Sequence, residues 1–228
     1  MKKTLRSESR IVIYLLKMKS NNVKEIKTNQ SEIILDTIKD SIIVINEIKN
    51  ISKDITQVVN QIVKCISNGK KIVIFGNGGS AADAQHIAAE LIGRYTLERR
   101  SYPAIALTTD TSALTAISND YSYNEIFSRQ CEGLVNRGDT VIGISTSGNS
   151  ENVRRGLKAS NEKGAFTIAL LGNGGGKIKK NADLNMILNS KLTPRIQEGH
   201  RVIYHIICDL VEKKMNGKER GNDKNSWR

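Results

Sequence analysis

His86 and Glu90 stand four residues apart in the stretch Lys71–Arg94, KIVIFGNGGSAADAQHIAAELIGR. At that spacing on a helix an imidazole and a carboxylate share one face, where they can divide a proton transfer or hold a metal ion. Such a pair is ordinarily a solvated surface pair, but Ala82, Ile87 and Ala89 make its surroundings apolar. A second polar set, Arg195, Gln197, Glu198, His200 and His205, lies in a helical pattern near the C-terminus. Glu198 and His205 are seven residues apart, about two turns, and share a face. Val202, Ile203, Ile206 and Ile207 surround His205, so the pattern predicts it at least half buried. A lone histidine on an apolar helix is usually a core residue; the His86/Glu90 pair shifts that balance. All three histidines of the chain fall on these two helices.

The residues ahead of His86 suit an anion. Lys71 to Phe75 is a short β-branched strand pattern that stops at Gly76-Asn77-Gly78-Gly79. Glycines there permit positive φ and close approach of a bound group. Ser80 is the expected N-cap of the following helix, whose free amides and dipole would face a phosphate. The dinucleotide fingerprint fits badly, because Ala81 takes its sixth place, and no Gly-Lys-Ser/Thr closes a Walker loop. A second strand-to-helix loop carries Ser145, Thr146, Ser147 and Ser150. Ser/Thr-Gly-Asn is also common turn chemistry, but four hydroxyls at a helix start favour phosphate oxygens. An anion cradle with a His/Glu pair one to two turns beyond it fits chemistry on a phosphorylated small molecule.

These groups need elements to position them. Apolar residues from Leu35 to Ile66 recur every three or four residues, as one long helix or two, with Asn68-Gly69 as the stop. More than one face is apolar (Ile33, Ile34, Ile43, Val44, Ile48, Val59 and Val63 as well), which predicts packing between subunits. Further strands are expected at 104–108, 140–144, 166–171 and 183–188. Helices are expected at 111–117, 123–136, from Ser150 to about Gly164, and 193–215. A polar loop, Ser118 to Ser122, separates the first two of these. The alternation predicts an α/β fold with a five-stranded parallel sheet flanked by helices. Its ligand crevice would lie beyond the carboxyl ends of the strands, with Asn119 and Asp120 facing it.

A chain of 228 residues with 39% hydrophobic content supports one such domain. Aromatics at 4% are too few for base-stacking platforms. The net charge of +12 resides at the ends: residues 1–30 carry eight basic and two acidic residues, and 213–228 carry six and two. The body is nearly neutral, so no nucleic-acid partner is expected. Cys65, Cys131 and Cys208 are far apart without a C-x-x-C, which suits a reducing, cytoplasmic compartment. The apolar run Ile11–Leu16 is too short for a signal core or a membrane span, and translation from Met18 is the expected explanation of residues 1–17.

Taken together, GNGGSAADAQHIAAEL (76–91), AISNDYSYNEIFSRQ (116–130), GDTVIGISTSGNSENV (138–153) and TPRIQEGHRVIYHIICDLVE (193–212) resemble the sugar isomerase (SIS) domain family and, within it, the phosphoheptose isomerases. The resemblance covers residues 31–212 as one SIS domain and leaves a basic extension (1–30) and a basic tail (213–228). It implies conversion of sedoheptulose 7-phosphate to D-glycero-D-manno-heptose 7-phosphate by a homotetramer whose active sites lie between subunits, which fits N-terminal helices packing between subunits. By position it implies Glu90 and His205 as the acid/base pair. Asn77, Gly78, Gly79, Glu90, Asn119, Asp120 and Gln197 would contact the sugar, and Ser145, Thr146, Ser147 and Ser150 the phosphate. His86, Glu90, Gln197 and His205 match a zinc site of the family. Yet Gln197 and His205 are ~12 Å apart along a straight helix, so either Gln197 precedes the helix or the helix is irregular. Two other readings stay open: a non-catalytic SIS protein that binds the replication initiator, and a sugar-phosphate sensor. The His86, Glu90 and His205 constellation counts against the first; the second needs no base, so Glu90→Ala discriminates it.

Overall fold

The computed structural model describes residues 29–222; the expected start at Met18 and the last six residues lie outside the described residues. The chain divides into two units between Ile42 and Ile43. Among the described residues the first unit holds the opening turns of α1 (Gln30–Glu47), where Ile33, Ile34, Leu35, Ile38 and Ile42 are each half exposed or more. The second unit begins with the end of α1, a 3-10 turn at Ile48–Ile51 and α2 (Ser52–Ser67). The periodic N-terminal stretch is thus two helices, broken where Ile51 leaves helical geometry at φ −106°, ψ 17°.

Strands β1 (Ile72–Gly76), β2 (Ala104–Ala106), β3 (Thr140–Ser145), β4 (Phe166–Leu171) and β5 (Leu184–Ile187) form one parallel sheet in the order β2-β1-β3-β4-β5. Every residue of β1 is buried, because helices cover both faces. The alternation of side chains then sorts two cores. Ile72 and Ile74 join Ile62, Ile87, Leu91 and Ile203 on one face. Val73 and Phe75 join Phe127, Val153 and Leu157 on the other, with the Phe75 and Phe127 rings stacked at 4.8 Å. After β1 the chain first builds β2 on one side and then returns to place β3 on the other. The order reverses between β1 and β3, which opens a crevice at their carboxyl ends.

Two helices matter most for the site. Helix α3 (Gly79–Ile92) follows β1, and α7 (Thr193–Asn222) closes the described chain. They lie side by side in the same direction: Asp83 meets Arg201 and Tyr204, His86 meets Tyr204, and the residues just after α3 meet Glu212. α7 runs seven residues past the expected end at Met215, which is itself buried, and so continues into the basic tail.

The polar loop expected at Ser118–Ser122 is largely helix. Asp110 caps α4 (Thr111–Asp120) by accepting from the Ala113 amide at 2.9 Å, and the helix carries Ser118, Asn119 and Asp120 to its end. A secure start outweighs the modest helix propensity of those residues. A 3-10 turn (Tyr123–Glu125), α5 (Ile126–Leu134) and α6 (Glu151–Glu162) complete the second face.

The two site helices are locked at one end by a buried ion pair. Glu212 accepts from the amides of Tyr95 (2.9 Å), Thr96 (2.8 Å) and Leu97 (2.7 Å) and from Arg99 Nε at 2.9 Å. Arg99 in turn donates to the carbonyls of Glu90 (2.7 Å) and Leu91 (3.0 Å), where the α3 dipole favours a cation. Burial alone would raise the Glu212 pKa, but the three amides outweigh it and bring it from 4.5 to about 2. A depressed carboxylate stabilises the fold above its unfolded pKa, and that contribution drains away as pH falls from 4.5 through about 2. A shift of this size corresponds to about 3 kcal/mol. We expect the melting temperature of the wild type to fall across that acid window and that of Glu212→Gln to start lower and change less; equal acid profiles in calorimetry would refute this.

Candidate active site

The first constellation gathers where α3 and α7 touch. His86, Glu90 and His205 each offer one ligand atom, all within 4.8 Å of one another. His86 Nε2 lies 2.9 Å from Glu90 Oε1, as the i, i+4 spacing on α3 requires. His205 is delivered by α7, its ring edge-on to His86 with centroids 5.2 Å apart. Burial, and then the neighbouring His86, hold the His205 imidazolium below its usual pKa range. The side chains remain partly open, His86 at 41% and Glu90 at 21% exposure, so a small molecule can reach them. Three nitrogen and oxygen donors this close can hold a divalent cation and leave a position free. The third histidine takes no part: His200 is fully buried, which pushes its pKa down to about 4 and keeps it neutral.

The second constellation occupies the crevice between β1 and β3. Gly78, at φ +56°, caps α3 in place of the expected Ser80, which lies inside the helix and is buried. The turn needs a left-handed residue at that point, and serine does not readily supply one. Across the crevice Ser145 Oγ is 2.9 Å from Ser150 Oγ and 3.4 Å from Ser147 Oγ. Ser150 is the N-cap of α6 but spends no hydrogen bond on it, so its hydroxyl and the helix start remain available to an anion. Glu151, in the first turn of α6, is occupied by Arg154 and then Arg155, which lower its pKa to about 2. Paired amides join the two loops: Asn77 Nδ2 donates to Asn152 Oδ1 at 2.8 Å, and Asn152 Nδ2 to Asn77 Oδ1 at 2.9 Å.

The expected site residues divide between these places. Glycines 78 and 79, Asn77 and the Ser/Thr loop frame the crevice, but Asn77 spends its side chain on Asn152 and on Tyr123, whose hydroxyl donates at 2.9 Å. Gln197 belongs with the crevice as well. It stands over Gly79, its Nε2 2.3 Å from where a Cβ would be. The helix that carries it is continuous from Thr193, so neither a preceding loop nor an irregular turn brings Gln197 to His205. Gln197 stands about 12 Å back along α7 from His205, and the His/Cys/Asp/Glu groups that lie close together are His86, Glu90 and His205. Asn119 and Asp120 end α4 exposed, with their side chains bonded to each other at 2.9 Å. The sequence reading missed Asp83, Tyr204 and Asn152. Asp83 could have been found, since it is an acid three residues before His86 in an alanine-rich helix.

The chain resembles known proteins in sequence and in fold. The SIS domain family profile matches residues 35–172. A phosphoheptose isomerase of Geotalea daltonii is 54% identical over 172 residues, covering 75% of this chain and 90% of that protein. One of Geobacter sulfurreducens is 59% identical over 150 residues, covering 66% and 79%. Among solved structures, phosphoheptose isomerase GmhA of Neisseria gonorrhoeae superposes with a TM-score of 0.76 at 41% identity, covering 80% of this chain and 98% of that one. The Francisella tularensis phosphoheptose isomerase gives 0.77 at 33% identity, covering 80% and 97%.

The shape of the Ser/Thr loop depends on Gly148, whose φ is +65° and whose added Cβ would lie 2.4 Å from the Gly175 carbonyl carbon. Strained backbone of this kind costs ~1–3 kcal/mol before any clash. Gly148→Ala should lower the melting temperature and weaken phosphate-ester binding in titration calorimetry. Gly133→Ala, in α5 with open space around it, should do neither.

Proposed function

The chain belongs to the SIS-domain family and, within it, to the phosphoheptose isomerases; from that premise we propose how its own residues carry the reaction. The enzyme is an aldose–ketose isomerase that converts sedoheptulose 7-phosphate to D-glycero-D-manno-heptose 7-phosphate in heptose biosynthesis. The observation that carries the residue roles is the convergence of His86, Glu90 and His205 at the α3–α7 contact, along α3 from an anion cradle.

The conversion moves one proton from C1 to C2 and one between the two oxygens through an enediol. Glu90 is the base: its carboxylate takes the C1 proton as the C2 carbonyl becomes the enediol oxygen, then returns it to C2. His205, held neutral by burial, transfers the hydroxyl proton between the O1 and O2 positions. Ser145, Thr146, Ser147 and Ser150, with the α6 start, bind the phosphate, while Gly78, Gly79 and Gln197 line the approach between the cradle and the trio. Asn77 ties the turn to Asn152 and keeps one amide hydrogen with which it would meet the sugar. Asn119 and Asp120 would contact the sugar only from the end of α4.

The trio fits zinc by donor chemistry, two imidazoles and a carboxylate with a free position. When bound, zinc would polarise the substrate carbonyl as a Lewis acid. Gln197 is not among its ligands within one chain. The exposed isoleucines of α1 support a homotetramer, whose burial of that face would remove apolar surface from water. A cytoplasmic setting fits three free cysteines and the absence, among the described residues, of a helix able to cross a membrane.

Proton NMR with sedoheptulose 7-phosphate should show the aldose anomeric signal growing with the wild type. With Glu90→Gln the rate should fall by at least a hundredfold. Turnover retained in Glu90→Gln would remove the base assignment; no turnover by the folded wild type would favour an adaptor. Light scattering should give four times the 25.2 kDa chain mass, and Ile34→Asp with Ile38→Asp should reduce it.

A further inference from the structure

Behind the histidine that faces Glu90 lies a buried polar relay that the isomerase chemistry above does not use. Tyr204, 1% exposed and one residue before His205, places its hydroxyl 3.1 Å from His86 Nδ1. The same hydroxyl lies 3.3 Å from Oδ1 of Asp83, itself 2% exposed, and 3.1 Å from Nε of Arg201. We propose that Asp83 and Tyr204 form a hydrogen-bonded relay that fixes His86 with its proton on Nδ1 and turns the Nε2 lone pair toward Glu90 and His205. Tyr204 is then a positioning residue for metal capture by the trio, and the inference rests on the metal reading given above.

Counting donors and acceptors carries the argument. A hydroxyl has one proton to give and two lone pairs to receive with. The Arg201 guanidinium only donates and the Asp83 carboxylate only accepts. The single Tyr204 proton therefore goes to Asp83, and Arg201 takes one lone pair. The remaining lone pair faces His86 Nδ1, so that nitrogen must bring the hydrogen. The Asp83 charge is meanwhile matched by Arg201, 3.3 Å away.

With Nδ1 protonated, His86 Nε2 confronts Glu90 Oε1 at 2.9 Å as one electron-pair donor against another. A cation beside both relieves that opposition, and His205 supplies the next donor. Ligating histidines are usually oriented by a partner on the second nitrogen, and loss of that partner weakens metal binding 10–100-fold. Here the partner is a tyrosine hydroxyl backed by a carboxylate, on the two helices whose contact makes the site.

Tyr204→Phe keeps the ring, which packs edge-on against both His205 (4.7 Å) and His86 (5.4 Å), and deletes only the hydroxyl. Cobalt(II) and zinc(II) affinity of the purified enzyme, measured by competition with a chromophoric chelator, should fall 10–100-fold in Tyr204→Phe. In a His86→Ala background the same change should cost nothing further, which a merely structural role would not predict. Wild-type affinity in Tyr204→Phe, or an equal loss in both backgrounds, overturns the relay and leaves the metal site standing. Equal affinity of wild type and His86→Ala overturns the metal reading itself. If Tyr204→Phe does not fold, Asp83→Asn is read in the same assay, where an unchanged affinity overturns the relay.

Discussion

The Arg99–Glu212 pair fixes the end of α3 against α7. Both side chains are almost wholly buried, at 2% and 1% exposure, where an unpartnered charge would cost several kcal/mol. Neither is left unpartnered: Glu212 collects three consecutive amides, and Arg99 collects the carbonyls that α3 leaves open at its end, including that of Glu90. Arg99 also lies over the buried Tyr102 ring at 3.9 Å. One ion pair thus ties the backbone of Glu90 to the helix that carries His205, two turns before Glu212. A slip of one residue between these helices would rotate one member of the trio away from the others.

Sheet topology sets the other half of the site. The reversal of strand order between β1 and β3 leaves their carboxyl ends facing a common crevice. The Asn77–Asn152 amide pair closes it, so the glycine turn and the hydroxyl loop keep a fixed spacing. From this crevice α3 leads to His86 in about 10 Å. A phosphate held at one end of an extended substrate and proton chemistry at the other is an arrangement set by helix length, since the residues between are a rigid rise of ~1.5 Å each.

The outer end of the chain answers to different forces. The first turns of α1 expose isoleucines in a way that ordinary solvated helices avoid. The basic tail is drawn into α7 as far as Asn222, and Met215 within it is buried against the core.

The sequence by itself determined the parallel α/β sheet, the glycine turn and hydroxyl loop at strand ends, and the pairing of His86 with Glu90. These are local: a β-branched run, a helix N-terminus and an i, i+4 spacing are written in adjacent residues. The resemblance of four stretches to one family gave the reaction as well. What only the tertiary structure decided is relative placement. Gln197 and His205 share a helix, yet an unbroken rise sends one to Gly79 and the other to His86. Asn119 and Asp120 read as loop but became the end of a capped helix. Tyr204 carried no signal in the sequence, because the carboxylate and imidazole that give its hydroxyl a purpose lie more than a hundred residues away, on α3. A period along one chain says which residues share a face, but only packing decides which faces meet.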